Sequence, residues 1–284
     1  MTRLDLSSLL SLLALLVVAP SVQAQVEADP FGAWYLDDAA PGWHFDLFLG
    51  AEREPTYAGS DAYETEPEVD LRAFYRTRSG QRWFASLGEV GTFQPVGDDW
   101  VIGALLELEE GRDDSDDDTL TGLDEVDSTV ELQVSVARRF GKGHLGVVLQ
   151  PDVLGRGKGF VTFLGGGLTH LSSSERFRTS LSLDLSWADA EHLRTEGGVT
   201  PEESARTGLP VHEPSGGLKS ATADVGLEWY FAERWSLLAG LEVERYFGDA
   251  ADSPLIALEG DALTTEAGVA FRFRFGNGRQ RDRR

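Results

Sequence analysis

The chain contains no cysteine among its 284 residues. It therefore has no disulfide framework, no thiolate nucleophile and no cysteine-ligated zinc site. A chain of this length without cross-links draws its stability from a large core or from a closed sheet. Composition alone leaves both possibilities open.

Long apolar runs are also missing, except for one near the N-terminus. Residues 9–18 are apolar apart from Ser11, and Pro20 precedes the small-residue pattern Val22-Gln23-Ala24. This run is too short to span a bilayer comfortably and predicts a secretory signal peptide, residues 1–24, removed after Ala24. Because no later run resembles it, the exported chain is expected either to be soluble or to enter a membrane as strands.

Basic residues are scarce relative to acidic ones. The sequence has 25 Lys and Arg against 48 Asp and Glu, for a formal net charge of −23. Such a chain repels nucleic acid, which is excluded as a partner. Contact with outer-membrane lipid headgroups and lipopolysaccharide, which are anionic, requires divalent cations or local basic positions.

What the sequence does contain is alternation. Phe271, Phe273 and Phe275 alternate with Arg272 and Arg274, which places rings and guanidinium groups on opposite faces of a β-strand. Similar alternation recurs over segments of about ten residues, the length that a tilted strand needs to cross a bilayer. Large rings lie at segment ends on the apolar face, at Trp187, Trp229, Phe231, Trp235 and Phe275. This placement is typical of the aromatic girdles of a transmembrane barrel.

The alternating segments define the predicted fold. Eleven strands are directly readable, at residues 42–54, 66–78, 82–94, 99–110, 127–140, 143–152, 158–170, 176–188, 220–231, 235–247 and 262–275. Because a single-chain bacterial barrel has an even strand number, one strand is missed or merged, and the loop pattern places it before residue 100. We therefore predict an all-β fold, a closed antiparallel transmembrane β-barrel of about 12 strands over residues 43–275, with about 10 as the alternative. Residues 25–42 form a lead-in without a clear period.

The connections between these strands alternate in length. Short connections fall at residues 141–143, 172–174 and 232–234, and long polar ones at 111–126, 190–219 and 248–260. Outer-membrane barrels have short periplasmic turns and long extracellular loops, so the long connections are predicted to be extracellular. One outward connection, near residues 154–157, is brief.

Six short motifs follow one another between residues 55 and 255. They are Pro55-Thr56-Tyr57-Ala58-Gly59-Ser60-Asp61-Ala62-Tyr63, Leu123-Asp124-Glu125-Val126-Asp127, Trp187-Ala188-Asp189-Ala190, Ser204-Ala205-Arg206-Thr207-Gly208-Leu209-Pro210, Gly217-Leu218-Lys219-Ser220 and Gly248-Asp249-Ala250-Ala251-Asp252-Ser253-Pro254-Leu255. On these residues the chain resembles the MltA-interacting protein family of outer-membrane proteins, also called MipA/OmpV. The resemblance implies an outer-membrane barrel without known catalysis. Barrels of the family normally end on the terminal aromatic, whereas here residues 276–284 follow Phe275.

The resemblance also implies partners. The founding member of the family looks like a scaffold that joins a lytic transglycosylase to a murein synthase. Other members look like adhesins or stress-responsive envelope proteins. The family therefore specifies a location in the cell envelope more firmly than it specifies a chemistry.

The acidic segment 113–125 is a candidate calcium loop. Asp114, Asp116, Asp118 and Glu125 fall at positions 1, 3, 5 and 12 of an EF-hand pattern. Position 6 is Thr119, where that loop needs glycine for its sharp turn. The alternatives are therefore a solvated acidic loop with no metal, or weak Ca²⁺ or Mg²⁺ binding that bridges to lipopolysaccharide phosphates.

The histidine and serine residues form no recognisable catalytic motif. The five histidines, His44, His144, His170, His192 and His212, form no HExxH pattern, and no GxSxG motif is present. His170 lies near Ser172, Ser173 and Ser174, which raises a Ser/His lipid hydrolase as a minor alternative to ordinary turn residues. We expect no catalytic residues and no cofactor.

Charged residues on the predicted lumen face leave two interpretations of the interior. The acidic ones are Asp46, Asp184, Asp224, Glu228, Glu242 and Glu244, and the basic ones are Arg178, Arg272 and Arg274. Such a wall forms either an ion-paired, filled lumen, which we favour, or a cation-preferring channel.

The C-terminal tail is strongly basic, with Arg279, Arg281, Arg283 and Arg284 against a single Asp282. It is either a disordered end or a periplasmic docking segment for acidic murein or a murein enzyme. We therefore predict a non-enzymatic outer-membrane scaffold that links a murein synthase and a lytic transglycosylase. The alternatives are a narrow solute channel and a surface adhesin that acts through its long loops.

Overall fold

The fold is a closed antiparallel barrel of twelve strands, in which each strand pairs with its chain neighbours and β1 pairs with β12. The computed structural model describes residues 40–276. The strands are β1 (Gly42–Pro55), β2 (Tyr63–Arg76), β3 (Arg82–Ala85), β4 (Glu89–Val96), β5 (Trp100–Glu109), β6 (Thr129–Phe140), β7 (Gly143–Pro151), β8 (Phe160–Leu171), β9 (Phe177–Ala188), β10 (Gly217–Tyr230), β11 (Trp235–Tyr246) and β12 (Leu263–Gly276). The predicted barrel of 12 strands is confirmed. The predicted signal peptide, residues 25–39 of the predicted lead-in and residues 277–284 of the tail lie outside the described residues, so these predictions stay untested.

One predicted strand is in fact two. Residues 82–94, read as a single strand, form β3 and β4 around a tight turn in which the amide of Ser86 donates to the carbonyl of Glu89 at 2.8 Å. The error lies before residue 100, as the loop pattern indicated. Exposed large apolar residues are odd-numbered up to Leu87 and even-numbered from Val90 to Phe140, and this change of parity marks the turn in the sequence.

The outer surface of the barrel is apolar. On β12, Phe271 is 50% exposed and Phe275 is 37% exposed, whereas Arg272 between them is 2% exposed. The Phe/Arg alternation therefore places rings outside and guanidinium groups inside, as predicted. In water such a surface would be strongly unfavourable, and in a bilayer it faces acyl chains.

Aromatic side chains form a girdle at one rim. Trp43, Phe45 and Phe275 stack there, with ring centroids 5.9 Å apart for Trp43 and Phe45 and 5.2 Å apart for Phe45 and Phe275. Further members around the rim are Tyr75, Trp83, Trp100, Phe140, Phe177, Trp229, Phe231, Trp235 and Phe273. Rings at one level of a barrel mark the interface between hydrocarbon and headgroups.

The two rims differ in their connections. The rim that carries the girdle has short turns at residues 77–81, 97–99, 141–142, 172–176 and 231–234, and we name it the turn end. The opposite rim, the loop end, has the connections 56–62, 86–88, 110–128, 152–159, 189–216 and 247–262. The predicted alternation of short and long connections is therefore present, with the hairpin at 86–88 as the exception.

The long connections pack together into a folded cap over the loop end. The cap contains α1 (Ala190–Gly197), α2 (Pro201–Thr207), α3 (Gly248–Ala251), α4 (Pro254–Ala257) and a 3₁₀ turn at Asp118–Leu120. Its apolar core consists of Leu193, Ala250 and Ile256 against the strand residues Val161, Ala188 and Tyr246. Among the helices between residues 40 and 276, none is long and apolar enough to cross a membrane.

Local sequence explains why α2 forms. Thr200 caps its N-terminus in a capping box with Glu203, and Pro201 occupies the first turn. Gly208 ends the helix in the left-handed conformation, at φ 81°. This region was predicted only as a long polar loop, although the capping box and the proline were readable in the sequence.

Hydrogen bonds join the loops of the cap to one another. Thr56 donates to Asp117 at 2.6 Å, and Arg112 donates to the carbonyl of Glu196 at 2.8 Å. The amide of Asp124 donates to Glu203 at 2.9 Å. Because these bonds connect segments far apart in sequence, the cap behaves as one folded unit and not as separate loops.

Gly59 is a tightly packed point in the cap, and its substitution is expected to loosen the cap. Its φ is +85°, and a Cβ there would lie 2.4 Å from Cγ1 of Ile256. We expect Gly59→Ala to destabilise the cap by about 2–4 kcal/mol, from the strained backbone and the clash together. Hydrogen exchange of the amide of Ile256 measures the effect.

Gly97→Ala is the matched control for this substitution. Gly97 also has a positive φ, +62°, but nothing lies within 4 Å of the added Cβ. We expect it to cost only about 1 kcal/mol and to leave the amide of Ile256 protected. Equal protection of that amide in both variants would contradict the assigned packing.

Candidate functional site

An ion-pair network lines one side of the lumen wall near the turn end, on β9, β10, β12 and β1. Glu228 on β10 is 0% exposed, and its carboxylate contacts the guanidinium groups of Arg272 on β12 and of Arg178 on β9, the latter at 3.2 Å. The hydroxyl of Tyr230 donates to the same carboxylate at 2.6 Å. Both guanidinium groups lie 5.8 Å from the ring centroid of Tyr230. The carboxylate is therefore fully surrounded by donors.

A second acid lies beside the first. Asp46 on β1, also 0% exposed, accepts from Arg274, whose Nε lies 2.7 Å from Oδ1 and whose Nη2 contacts Oδ2. Arg272 lies 3.9 Å from Asp46 and so connects the two acids. We name this network the plug; its members are Asp46, Arg178, Glu228, Tyr230, Arg272 and Arg274.

Apolar side chains complete the closure at this level. Phe48 and Leu238 point inward beside the plug and are both 0% exposed. Arg82 on β3 and Val148 on β7 are each 1% exposed. The inner wall is therefore closely covered at these positions. The filled interior and the cation-preferring channel both stay hypotheses.

Above the plug, the inward face of the wall is acidic. Asp224 on β10 stands opposite Glu242 on β11, and Glu266 on β12 stands opposite Glu242 on the other side. Asp224 accepts from the hydroxyl of Ser182 at 2.9 Å. The sequence placed Asp224 and Glu242 on the lumen face correctly. This part of the lumen favours cations over anions.

The cap contains a buried charge cluster where it meets the barrel. The ring of His192 on α1 bonds through Nδ1 to the carbonyl of Lys158, at 2.9 Å, and through Nε2 to Nζ of Lys219, at 3.1 Å. Since an ammonium only donates, Nε2 accepts and Nδ1 carries the proton, so the ring is neutral. Lys158 also lies 3.8 Å from the carboxylate of Glu196.

Burial and charge set the ionisation of this cluster. Burial, and then the ammonium of Lys219, lower the pKa of His192 to about 4. Burial would raise the pKa of Glu196, but His192, Lys158 and Lys219 outweigh it and lower that pKa to about 2. At neutral pH the cluster therefore holds a neutral imidazole between two ammonium groups and one carboxylate.

The candidate calcium ligands are not gathered into a site. Asp116 accepts from the amide of Asp113 at 2.9 Å, and Asp118 begins the 3₁₀ turn. Glu125 lies beyond that turn. Within residues 40–276, no group of three or more His, Asp or Glu side chains is placed to hold a metal ion. The geometry of Asp114, Asp116, Asp118 and Glu125 thus gives the calcium hypothesis no support.

The candidate hydrolase residues have structural partners. Nδ1 of His170 lies 2.8 Å from Nζ of Lys142, on the neighbouring turn. The hydroxyl of Ser172 contacts that of Ser174 at 3.1 Å and accepts from the amide of Phe177. These contacts close the turn at the turn end and do not form a nucleophile and base pair. The candidate docking residues Arg279, Arg281, Arg283 and Arg284 lie outside the described residues.

The family of the chain follows from a match that covers nearly the whole barrel. The model of the family described as MltA-interacting protein MipA matches residues 47–275. The chain belongs to this family. The match covers β1 to β12 almost completely, so plug and cap alike lie within the MipA region. No curated protein sequence is similar enough to this chain to count as a match.

Solved outer-membrane barrels resemble the MipA-family barrel only distantly. An outer-membrane channel from Pseudomonas putida F1 has 13% identity and a TM-score of 0.44, covering 84% of this chain and 98% of its own. The toluene transporter TodX of Pseudomonas putida has 11% identity and a TM-score of 0.40, covering 89% and 92%. OmpT of Vibrio cholerae has 9% identity and a TM-score of 0.35, covering 84% and 98%. Nothing about this chain follows from what those proteins transport.

Proposed function

We propose that this MipA-family barrel resides in the outer membrane and acts by holding protein partners, without catalysis. The observation that carries the proposal is the plug. Buried ion pairs that narrow the lumen make it poorly suited to passing solutes, and this supports a function at the rims and the tail. The partner class follows from the family description, which names an interaction with MltA, a lytic transglycosylase. We add a murein synthase as the second partner.

The turn end and the tail are the proposed partner surface. The short turns carry Lys142, Arg176 and Arg234, but short turns alone offer little of the roughly 800 Å² per partner that a standard interface buries. The tail beyond Gly276 adds four arginines within residues 279–284. An arginine-rich segment of this kind pairs with carboxylate and phosphate groups, which suits acidic murein or an acidic face of a murein enzyme.

Crosslinking in intact cells tests this proposal. We expect a lytic transglycosylase and a murein synthase to co-purify with the tagged chain. Removal of residues 277–284 is expected to reduce both several-fold, while Gly276 keeps its pairing with His44. Replacing Arg279, Arg281, Arg283 and Arg284 by lysine is the control, because it preserves the charge. An eluate that contains only lipid and assembly machinery would exclude the scaffold.

The narrow channel remains the second candidate, and one observation favours it. The acidic inner face above the plug, with Asp224, Glu242 and Glu266, resembles a cation-preferring vestibule. A channel would require the plug to open. The loops on which an adhesin would depend are packed into the cap.

A further inference from the structure

The barrel wall has a gap in its loop half. β2 pairs with β1 along all 14 of its residues, but β3 pairs only with residues 73–76 of β2. The β3–β4 hairpin turns back at residues 86–88, directly after Ala85 pairs with Ala73, and so does not extend beside residues 63–67 of β2. Within the part of the chain that the structure describes, no strand lies against residues 63–67 of β2 on the side away from β1. We name this gap, between residues 63–67 of β2 and residues 108–109 of β5, the notch.

The inner face of β2 is exposed beside the notch. Glu64 and Glu66 point to the inner face and are exposed, whereas Glu68, the next inward residue toward the turn end, is 3% exposed. From Ala73 to the turn end, β2 pairs with β3 and the wall is continuous through β3 and β4. The carboxylates of Glu64 and Glu66 are therefore accessible at the unpaired part of β2.

The inner face beside the notch is strongly negative. Glu64 stands directly opposite Glu54 on β1, and Glu66 stands directly opposite Glu52. Like charges in directly opposed positions destabilise a sheet, so the arrangement favours a cationic neighbour. On the β5 side the outer face beside the notch is apolar, with Leu106 and Leu108 more than 40% exposed, whereas on the β2 side it carries Thr65 and, opposite it on β1, Arg53.

An open strand edge is costly wherever it meets hydrocarbon, and the notch lies at the loop-end limit of β2. Backbone N–H and C=O groups in hydrocarbon need partners, and open sheet edges do not face lipid. Pro67 lies on this edge. The pairing of β2 with β1 continues past Pro67, which stands opposite Ala51, without a register shift. Since proline has no N–H and sits on edge strands, its nitrogen is directed toward the notch. The amides of residues two positions away point to the same side.

We propose that the notch binds an extended segment of another polypeptide, which adds to the free edge of β2 as a strand. Such a segment alternates Lys or Arg, facing the carboxylates of Glu64 and Glu66, with apolar residues, facing lipid beside Leu108. Backbone pairing supplies the affinity and the alternation supplies the specificity. This site lies at the loop end and is independent of the partner surface proposed at the turn end.

Peptide binding to the purified full-length chain in lipid nanodiscs tests the proposal. The probe is a labelled ten-residue peptide of alternating lysine and leucine, and its dissociation constant is measured by fluorescence anisotropy. Two control peptides are used, one with the same composition in scrambled order and one N-methylated at alternate backbone amides. We expect the alternating peptide to bind at least about tenfold more tightly than either control, since both lose edge pairing.

Variants of the chain locate the binding. Glu64→Gln with Glu66→Gln is expected to weaken binding of the alternating peptide about tenfold, whereas Glu202→Gln with Glu213→Gln, on the exposed cap, makes the same charge change without effect. Thr65→Pro removes an edge amide on the side of Pro67 and is expected to weaken binding similarly.

Three results would overturn the proposal. Equal affinity for all three peptides would mean general electrostatic attraction to an acidic protein. Binding that is unaffected in both the charge variant and Thr65→Pro would place the peptide elsewhere. Binding that appears only after deletion of residues 25–39 would show that the edge is already covered by the N-terminal segment of the chain.

Discussion

Replacing Glu228 by alanine is expected to lower the free energy of unfolding of the barrel by about 3–5 kcal/mol. The substitution removes the carboxylate that Arg272, 2% exposed, and Arg178 both contact, while Arg272 keeps Asp46 at 3.9 Å. Removing one partner of a buried ion pair costs far more than the pair itself contributed, because the remaining charges stay desolvated. Urea unfolding of the detergent-folded protein, followed by the change in gel mobility on heating, measures the loss.

Glu233→Ala is the control for this prediction. Glu233 lies exposed on the turn between β10 and β11, five residues from Glu228 in sequence. Its substitution is expected to change the free energy of unfolding by less than about 0.5 kcal/mol. If the Glu228 and Glu233 variants unfold at the same urea concentration, the plug does not stabilise the barrel.

Mild acid is expected to loosen the cap through His192. Burial and then the neighbouring Lys219 lower the pKa of His192 from its ordinary 6.5 to about 4. An open cap therefore binds a proton that the closed cap does not. The stability of the closed cap is therefore unaffected by His192 above pH 6.5. It falls as the pH falls from 6.5 toward 4, by about 3 kcal/mol in all. Below pH 4.5, protonation of Glu196, whose pKa in the closed cap is about 2, adds to the loss.

Hydrogen exchange of residues 190–216, normalised for the intrinsic pH dependence of exchange, follows this opening. The open fraction is expected to rise about tenfold for each pH unit between 6.5 and 4. His192→Asn is expected to remove this rise. His212→Asn is the control, because the ring of His212 bonds the carbonyl of Asp249 and not an ammonium. A cap whose exchange is the same at pH 7 and pH 4.5 would contradict the assigned role of His192.

The barrel itself was predictable because side chains in a strand alternate between two faces. In a membrane barrel one face must be apolar toward lipid and the other can be polar toward the lumen. Phe271, Arg272 and Phe273 already reveal which face meets lipid. The β3–β4 turn was not recognised because Trp83, Ala85 and Leu87 continue the alternation up to the turn, and the change of parity between Leu87 and Val90 is a weak signal. The helix at Pro201–Thr207 was missed, although its capping box and proline were readable.

Contacts across the barrel could not be predicted in the same way. The sequence placed Asp46, Glu228 and Arg272 on the lumen face, but nothing local pairs Glu228 with a residue 44 positions away. Such pairs depend on strand register and on the stagger of the closed sheet. The notch had a readable signal in Pro67 and the glutamates of β2, which are typical of an edge strand. Only the shortness of β3 reveals that the edge is open.

The central claim is that a plugged barrel acts through its surfaces and not by passing solutes. Single-channel recording of the full-length protein in a planar bilayer at neutral pH tests it most directly. The plug, in which Asp46, Glu228 and Arg272 are at most 2% exposed, predicts no stable conductance steps under an applied voltage. Regular, long-lived steps that favour cations would contradict the claim and establish the chain as a channel.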